Sequence, residues 1–508
     1  MQPASSPGVG NHTRRRPMIG LPRTVAVRLV ICASLGASLS LAVARPVLAQ
    51  GDANAGKVVY ELKCALCHGE KGDGKGAGAE NLAPRPRDFT KGLYKVRTTA
   101  NKTPTDQDLF RIITEGMPGT SMPGWGVLPE KERWNLVAYL KTFAADAFKE
   151  APKKLELPKD VASSAESIKR GKEMFEAIEC HKCHGNAGRA DGPSRDELKD
   201  EWGHPIPPAN LAKRWTFRGG ASRTDIATRI ANGVLGTPMP AFLDSVEKPE
   251  DVWHLTNYIV SLGPDLPRYA TLLTVRSGAE ALPDDPNAEF WRKLEPQYVP
   301  LMGQVIVDPR NFNPAIDVVA VRAAYNDKEV AFHLTWDDPS ESKGDGKKTF
   351  PDAISLQFPP QIVPGSTERP YFLMGDGSEA VYLLRWERGT GVGEATANGP
   401  AKVAALSGGE AAGTAVFDNG QYRLVMKRPL AAKGEGRPTF QPAVFTPVAF
   451  QAWDGGAGET GTRMSLTSWY YLRLEEPQSN RRFIIPPVVA LLTLAAMFLV
   501  VRTANRAR

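Results

Sequence analysis

Two short stretches carry the reactive side chains of this chain: "KCALCHG" at residues 63–69 and "ECHKCHG" at 179–185. Each contains Cys-x-x-Cys-His. The chain has five cysteines; Cys32 lies in the N-terminal segment, and Cys64, Cys67, Cys180 and Cys183 all fall inside the two motifs. Four cysteines in an exported protein ordinarily suggest two disulfides, but a histidine directly after each pair asks for another explanation. Cys-x-x-Cys-His is the attachment pattern of a c-type haem. The two thiols form thioethers with the vinyl groups, and His68 or His184 supplies the proximal iron nitrogen. A zinc site needs further ligand pairs at suitable spacing, and no cysteine remains to make them. A thioredoxin-like pair needs a βαβ pattern around it, which is absent.

The sixth iron ligand emerges from aligning the two copies. "ITEGMPGTSMPGW" follows the first motif and "IANGVLGTPMPAF" the second, sharing Gly-Thr-x-Met-Pro. Met122 lies 54 residues after His68, and Met239 lies 55 after His184. Matched spacing predicts an internal repeat in which each Met is the distal ligand of its own haem; a thioether opposite an imidazole raises the potential, which suits electron transfer. Met117 competes in the first copy, but Val234 stands at its aligned place. His204 and His254 are conceivable partners for a second imidazole ligation and have no counterpart in the first copy. The plain alternative for the methionines is core filling.

These residues need helices to position them. "AGKVVYELKC" and "RGKEMFEAIEC" lead into the motifs, and each copy closes with an amphipathic stretch ending in Tyr-Leu or Tyr-Ile. On these features residues 51–148 and 166–266 resemble class I cytochrome c domains. The resemblance implies a small all-α fold whose N- and C-terminal helices cross beside the haem. Arg97 in "YKVRTT" and Arg218 in "WTFRGG" stand at similar places, as possible contacts to haem propionates or as ordinary surface arginines.

Residues 270–476 have another texture. Alternating runs such as "EVAFHLTW", "AISLQF", "AVYLLRW" and "PVAFQAW" are separated by Gly, Pro, Asp and Asn turns, which predicts an antiparallel β-sandwich. With no cysteine, this region holds no third covalent haem. The phrases "LTWDDPSES", "RPYFLMGDG", "YLLRWERG", "YRLVMKRPL" and "SLTSWYYLRL" resemble the haem b domain of the ethylbenzene dehydrogenase gamma subunit and its relatives, electron-transfer subunits of periplasmic molybdenum enzymes. The resemblance implies a noncovalent haem b between the sheets, ligated by Met and Lys. The Met of "FLMGDG" is Met374. Where relatives tend to carry the Lys, this chain has Arg463 and Met464, and a guanidinium stays protonated. Lys427 as second ligand, a bis-methionine site with Met464, and absence of haem b all stay open.

The ends place the chain. Residues 1–49 carry six Arg and no acid, an apolar run and a small-residue site at Ala49, the order of a secretory signal. "FIIPPVVALLTLAAMFLVV" at 483–501 is uncharged and flanked by arginines, long enough for a single transmembrane helix with its basic tail in the cytoplasm. The arginines of the two ends exceed the whole net charge of +7, so the body between is acidic and nucleic acid is not an expected partner. The fold expectation is therefore multidomain: a signal peptide, two all-α cytochrome c domains, one antiparallel β-sandwich and one C-terminal transmembrane helix. The functional expectation is a non-catalytic electron carrier at the periplasmic face of the cytoplasmic membrane with two covalent haems c and one haem b. Its partners are a molybdopterin catalytic subunit of the nitrite oxidoreductase or nitrate reductase kind, an iron–sulfur subunit, and a soluble cytochrome c or oxidase. The alternative is a dihaem oxidoreductase or an oxidase-associated cytochrome whose sandwich is only a binding module.

Overall fold

The computed structural model describes residues 51–264, 267, 269–278, 281–366, 368–400, 402–431, 433–476 and 481–506. The expected signal segment, with Cys32, lies outside the described residues.

The N-terminal half is helical and repeats itself. The first copy contains α1 (Ala53–Lys63), α2 (Ala65–His68), α3 (Asp106–Glu115) and α4 (Glu130–Thr142); the second contains α5 (Ala165–Ala177), α6 (His181–His184), α7 (Arg223–Asn232) and α8 (Asp251–Ser261). Side-chain oxygens of Asp52, Thr105, Ser164 and Ser222 cap α1, α3, α5 and α7, satisfying amides that the first turn leaves without helical partners.

In each copy the N-terminal helix crosses the C-terminal one at a glycine. A Cβ on Gly56 would lie 2.0 Å from the Asn135 carbonyl oxygen, and one on Gly171 would lie 2.0 Å from that of His254. The backbones touch there, so only glycine fits. One turn on, Tyr60 meets Tyr139 and Phe175 meets Tyr258, both with ring centroids 5.3 Å apart at 63°, the edge-to-face geometry aromatic pairs prefer. This crossing accounts for the shared "GK" followed by an aromatic. The second copy carries one extra residue before its first motif cysteine, and Glu179 at φ 62° absorbs it.

Among the described residues the C-terminal half forms a sheet of fourteen strands. They are β1 (Leu272–Ser277), β2 (Gln297–Pro300), β3 (Met302–Gly303), β4 (Val318–Tyr325), β5 (Glu329–Asp337), β6 (Ala353–Phe358), β7 (Val381–Glu387), β8 (Gly391–Ala397), β9 (Val403–Ala405), β10 (Ala412–Phe417), β11 (Gln421–Pro429), β12 (Phe445–Trp453), β13 (Ser465–Leu466) and β14 (Tyr470–Leu474). The order is β10-β11-β5-β4-β1-β14-β12-β6-β7-β8-β9. The expected purely antiparallel arrangement is corrected at β1, which pairs in parallel with both β4 and β14. Both partners are reached through long connections, as parallel pairing requires. β1 thus joins two antiparallel layers into one folded sheet.

Alternation along the strands builds the core between those layers. Phe332, Leu334 and Trp336 on β5 and Leu424 and Met426 on β11 face Ile354, Leu356 and Phe358 on β6 and Leu384 and Trp386 on β7. Trp336 meets Trp386 across the layers at 5.8 Å. The outer faces are covered as well. On one, Ala331 and Val425 pack under Leu282 and under Trp291, the latter on the short helix α9 (Glu289–Lys293). On the other, Ala353, Val381, Leu383 and Ala395 pack under Leu373, Met374 and Met464.

Helix α10 (Arg481–Arg506) closes the chain, and its part Ile484–Arg506 is long and apolar enough to cross a membrane, with none of it buried. Pro486 and Pro487 lie near its N-terminal end.

At one end of the sandwich Asp338, Asp352 and Asp454 bring carboxylate oxygens within 4.8 Å of one another, all fully buried. Burial is the main cause that pushes each carboxyl above the usual range, Asp352 to about 6, and the charge of Asp454 adds to it at Asp338 and Asp352. Groups whose folded-state values lie above the unfolded value of about 3.9 bind protons more tightly when folded. Their contribution to stability is full below pH ~4 and is lost as pH rises through about 6. Thermal melts should therefore show the sandwich losing stability between pH 5 and 7. Asp338→Asn should raise the midpoint at pH 7.5 by a few degrees and flatten that dependence, about 2–4 °C per kcal/mol in a domain of this size.

Candidate haem sites

Each Cys-x-x-Cys-His turn begins where the first helix of its copy ends, and the two turns are alike bond for bond. The Cys64 carbonyl accepts from the amides of Cys67 and His68 at 3.2 and 2.9 Å, and that of Cys180 from those of Cys183 and His184 at 3.3 and 2.9 Å. The His68 and His184 carbonyls each accept one amide at 2.8 Å, from Gly74 and Ala190. All four cysteines are free and partly buried. Burial, joined at Cys64 by Cys67 and at Cys180 by Cys183, pushes the Cys64 and Cys180 thiols up to about 11, so both stay protonated.

Both imidazoles are fixed in the same way. His68 Nδ1 lies 3.1 Å from the Arg87 carbonyl oxygen and His184 Nδ1 lies 2.9 Å from that of Ala209. A carbonyl can only accept, so Nδ1 carries the proton and Nε2 keeps its lone pair, as a metal-ligating histidine requires. Burial holds both below the ordinary histidine range, which favours the neutral, ligating form. The sequence reading missed these two carbonyls. Each directly follows a proline, in "RPRDF" and "PPANL", a shared local signal that alignment of the copies could have exposed.

The methionine loops repeat as closely. Met122 and Met239 offer their carbonyls to the amides of Met117 and Val234, both at 3.1 Å; the Thr120 and Thr237 hydroxyls donate to those same two residues' carbonyls at 2.7 Å. Left-handed glycines set the turn: Gly116 and Gly233 end α3 and α7, and Gly119 and Gly236 follow three residues later. In the second copy Cys180, Cys183, His184, Met239 and Arg218 all line one cavity of about 590 Å³, within the roughly 300–1,000 Å³ of sites for small molecules and cofactors. The donor set fits a covalent haem: two thiols at one wall, an imidazole with a free Nε2, and a thioether. Ala83, Lys95 and Val96 of the first copy and Pro314 and Asp317 of the sheet half complete the wall. His254 does not join them, since its Nδ1 meets the Ser167 hydroxyl at 2.8 Å.

Arg97 and Arg218, placed alike by the sequence, part company. Arg97 is buried between the copies, where Nε donates to the Asn101 carbonyl at 3.0 Å and Nη2 to that of Asn232 at 2.7 Å. It serves as a bolt between α7 and the first copy. Arg218 keeps to the cavity.

In the sheet half the three iron-ligand candidates separate. Met374 and Met464 are fully buried in one apolar cluster with Trp453. Met374 also holds φ 59°, a left-handed conformation costly for a bulky side chain and typical of functional positions. Lys427 lies on the outer face of the other layer, where its ammonium meets Asp284 at 2.7 Å, the Leu282 carbonyl at 3.0 Å and Glu329 at 3.6 Å. The structure therefore does not bring Lys427 to Met374, and it places Met374 outside the layers rather than between them. The donors at Met374 and Met464 suit a soft thioether pair. The cavity beside Met374 is about 250 Å³, so accommodating a tetrapyrrole requires one of the two methionine segments to move.

Comparison with known proteins accords with this geometry. The family model for cbb3-type cytochrome c oxidase subunit III matches residues 51–140 and 166–259, and that for ethylbenzene dehydrogenase matches 288–387. A cytochrome c of Tetrahymena pyriformis is 31% identical over 107 residues, 18% of this chain and 90% of that protein. The chain belongs to the cytochrome c family. This cytochrome is also similar to a Haloferax mediterranei protein assigned as a respiratory nitrate reductase haem subunit, at 26% identity over 38% of this chain and 69% of that one. It resembles the dimethylsulfide dehydrogenase subunit gamma of Rhodovulum sulfidophilum as well, at 25% identity over 38% of this chain and 76% of that one.

Lys427→Ala should leave the content and spectrum of any noncovalent haem unchanged, whereas Met374→Ala and Met464→Ala should each deplete it, measured by acid–acetone extraction. A spectrum changed by the lysine variant alone would reverse the assignment.

Proposed function

We propose that this cytochrome is the electron-transfer subunit of a membrane-tethered respiratory complex, carrying two covalent haems c and one noncovalent haem b. The observation that carries the reading is the convergence of Cys180, Cys183, His184 and Met239 on one cavity walled by both helical copies and the sheet half. Bound haem supplies reversible one-electron iron chemistry, tuned by its axial ligands. The chain's own residues attach the group through Cys64 and Cys67 or Cys180 and Cys183. Nε2 of His68 or His184 and the thioether of Met122 or Met239 would hold its iron. With a histidine and a methionine both offered to the iron, neither c site would keep an open position for substrate, which favours a relay over a catalyst. Met374 and Met464 are the pair we assign to haem b.

The likeness to a nitrate reductase haem subunit and to a dimethylsulfide dehydrogenase gamma subunit supports a molybdopterin catalytic partner, with an iron–sulfur subunit between. The sheet half would face that partner, and the c haems would pass electrons to or from a soluble cytochrome or oxidase. Helix α10 would anchor the complex with the folded body in the periplasm and the short basic tail inside.

A pyridine haemochrome assay of the loaded protein should return two c haems to one b haem. Met122→His and Met239→His should each lower one midpoint potential while both c haems stay attached, and molybdenum should co-purify from detergent-solubilised membranes. Two unmoved midpoints would refute the distal ligands, and membranes yielding the cytochrome free of molybdenum would refute the partner.

A further inference from the structure

The charged groups around the second cavity divide into a neutralised side and a bare one. On the side of the sheet half, Lys213 meets Asp317 at 2.5 Å and Arg189 meets Asp337 at 3.3 Å. On the side of its own copy, Arg195 pairs with Asp196 at 2.5 Å and Glu179 with Lys182 at 2.6 Å. Arg229 spends its guanidinium on the carbonyls of Lys95 and Arg97. Two cations lining the cavity remain, Lys95 from the first copy and Arg218 from the second. Among the described residues neither meets a carboxylate at ion-pair distance. Burial disfavours the charged form of both Lys95 and Arg218; the charges of Arg87 and Arg218 further repel Lys95, and that of Asp200 attracts it more weakly. Half-buried like charges left facing one another across an apolar cavity are unfavourable unless an anion belongs between them.

We propose that Lys95 and Arg218 together hold the two carboxylates of the group attached at Cys180 and Cys183, so that the second haem site is completed by a side chain of the first copy. This rests on the reading of Cys180–His184 as a covalent haem site. The paired acids Asp317 and Asp337 leave the opposite wall without free positive charge, so the carboxylate edge turns toward the first copy and away from the sheet. A cation beside the carboxylates offsets their stabilisation of ferric iron and so raises the potential. Lys95 is thus a positioning residue for a haem it is not covalently joined to, and the interface between the copies sets the potential of the second centre.

Redox potentiometry of the full chain with both c haems attached tests this, the second midpoint being identified as the one that Met239→His moves. Lys95→Met should shift that midpoint downward and leave the first in place. Arg218→Met should shift the same midpoint, and Lys95→Arg should restore it. A second midpoint unmoved by both Lys95→Met and Arg218→Met, with two c haems present by haemochrome, overturns the clamp and leaves the electron-carrier reading standing. Loaded wild-type protein that carries only one covalent haem overturns both.

Discussion

Two backbone contacts, Gly56 on Asn135 and Gly171 on His254, set the geometry of the helical half. With no Cβ between them, the first and last helices of each copy cross at the distance of touching main chains. The first motif cysteine stands eight residues after Gly56 and nine after Gly171, at or just past the end of the same helix, so the thiols are located by a helix fixed at that joint rather than by a long loop. The aromatic pair one turn on locks rotation about the joint, at the same distance and angle in both copies. An added methylene would have to push apart helices that in the second copy also line the cavity through Phe175, Leu255 and Ile259, and interiors packed at crystal-like density have little room to yield.

The joint repeats, but its surroundings do not. The copies meet through α7, where Arg97, Arg229 and Asn232 exchange hydrogen bonds with main-chain carbonyls across the interface. Arg111 adds an ion pair to Asp225 at 2.6 Å. The second copy is then clasped by the sheet half through Asn210 and Lys213. The first copy touches the sheet half too, where Asn313 accepts from the Ala83 amide at 2.9 Å and donates to the Asn81 carbonyl at 3.1 Å. Duplication supplied two equivalent attachment turns, and packing made them unequal. The inner cavity draws walls from three parts of the chain, which lowers its polarity and ties its electrostatics to the interfaces.

Much of this was legible from residue types alone. The motif cysteines, the paired methionines and the helix before each motif follow from local spacing, because a helix, a turn and a covalent attachment each occupy a fixed short run of sequence. The parallel pairing of β1 was not legible, since its partners β4 and β14 lie far along the chain and alternation says nothing of direction. Nor was the divergence of Arg97 from Arg218. Their sequence contexts are alike, and only the docking of α7 decides that one becomes a bolt while the other stays at the cavity. Lys95 stood two residues from Arg97 in a stretch already noticed, yet its role depends on a neighbouring copy that spacing within one module cannot reveal.

The same limit explains the lysine of the sheet half. Along β11 the residues Tyr422, Leu424 and Met426 face inward, so the odd positions, Lys427 among them, must face outward. Met374 is likewise outside, but over the other layer, against Ala353 and Val381. Two residues on opposite outer faces are separated by both sheets and the core between them, a thickness of about 10 Å between sheet planes alone. No iron bridges that gap. Met464 escapes the restriction because it precedes β13, whose pairing with β12 and β3 lays it over the same face as Met374. Strand parity, read from the hydrophobic pattern, puts Lys427 on an outer face but does not say which face Met374 covers. The layer order needed to apply it becomes available only once β1 is seen to join the two halves.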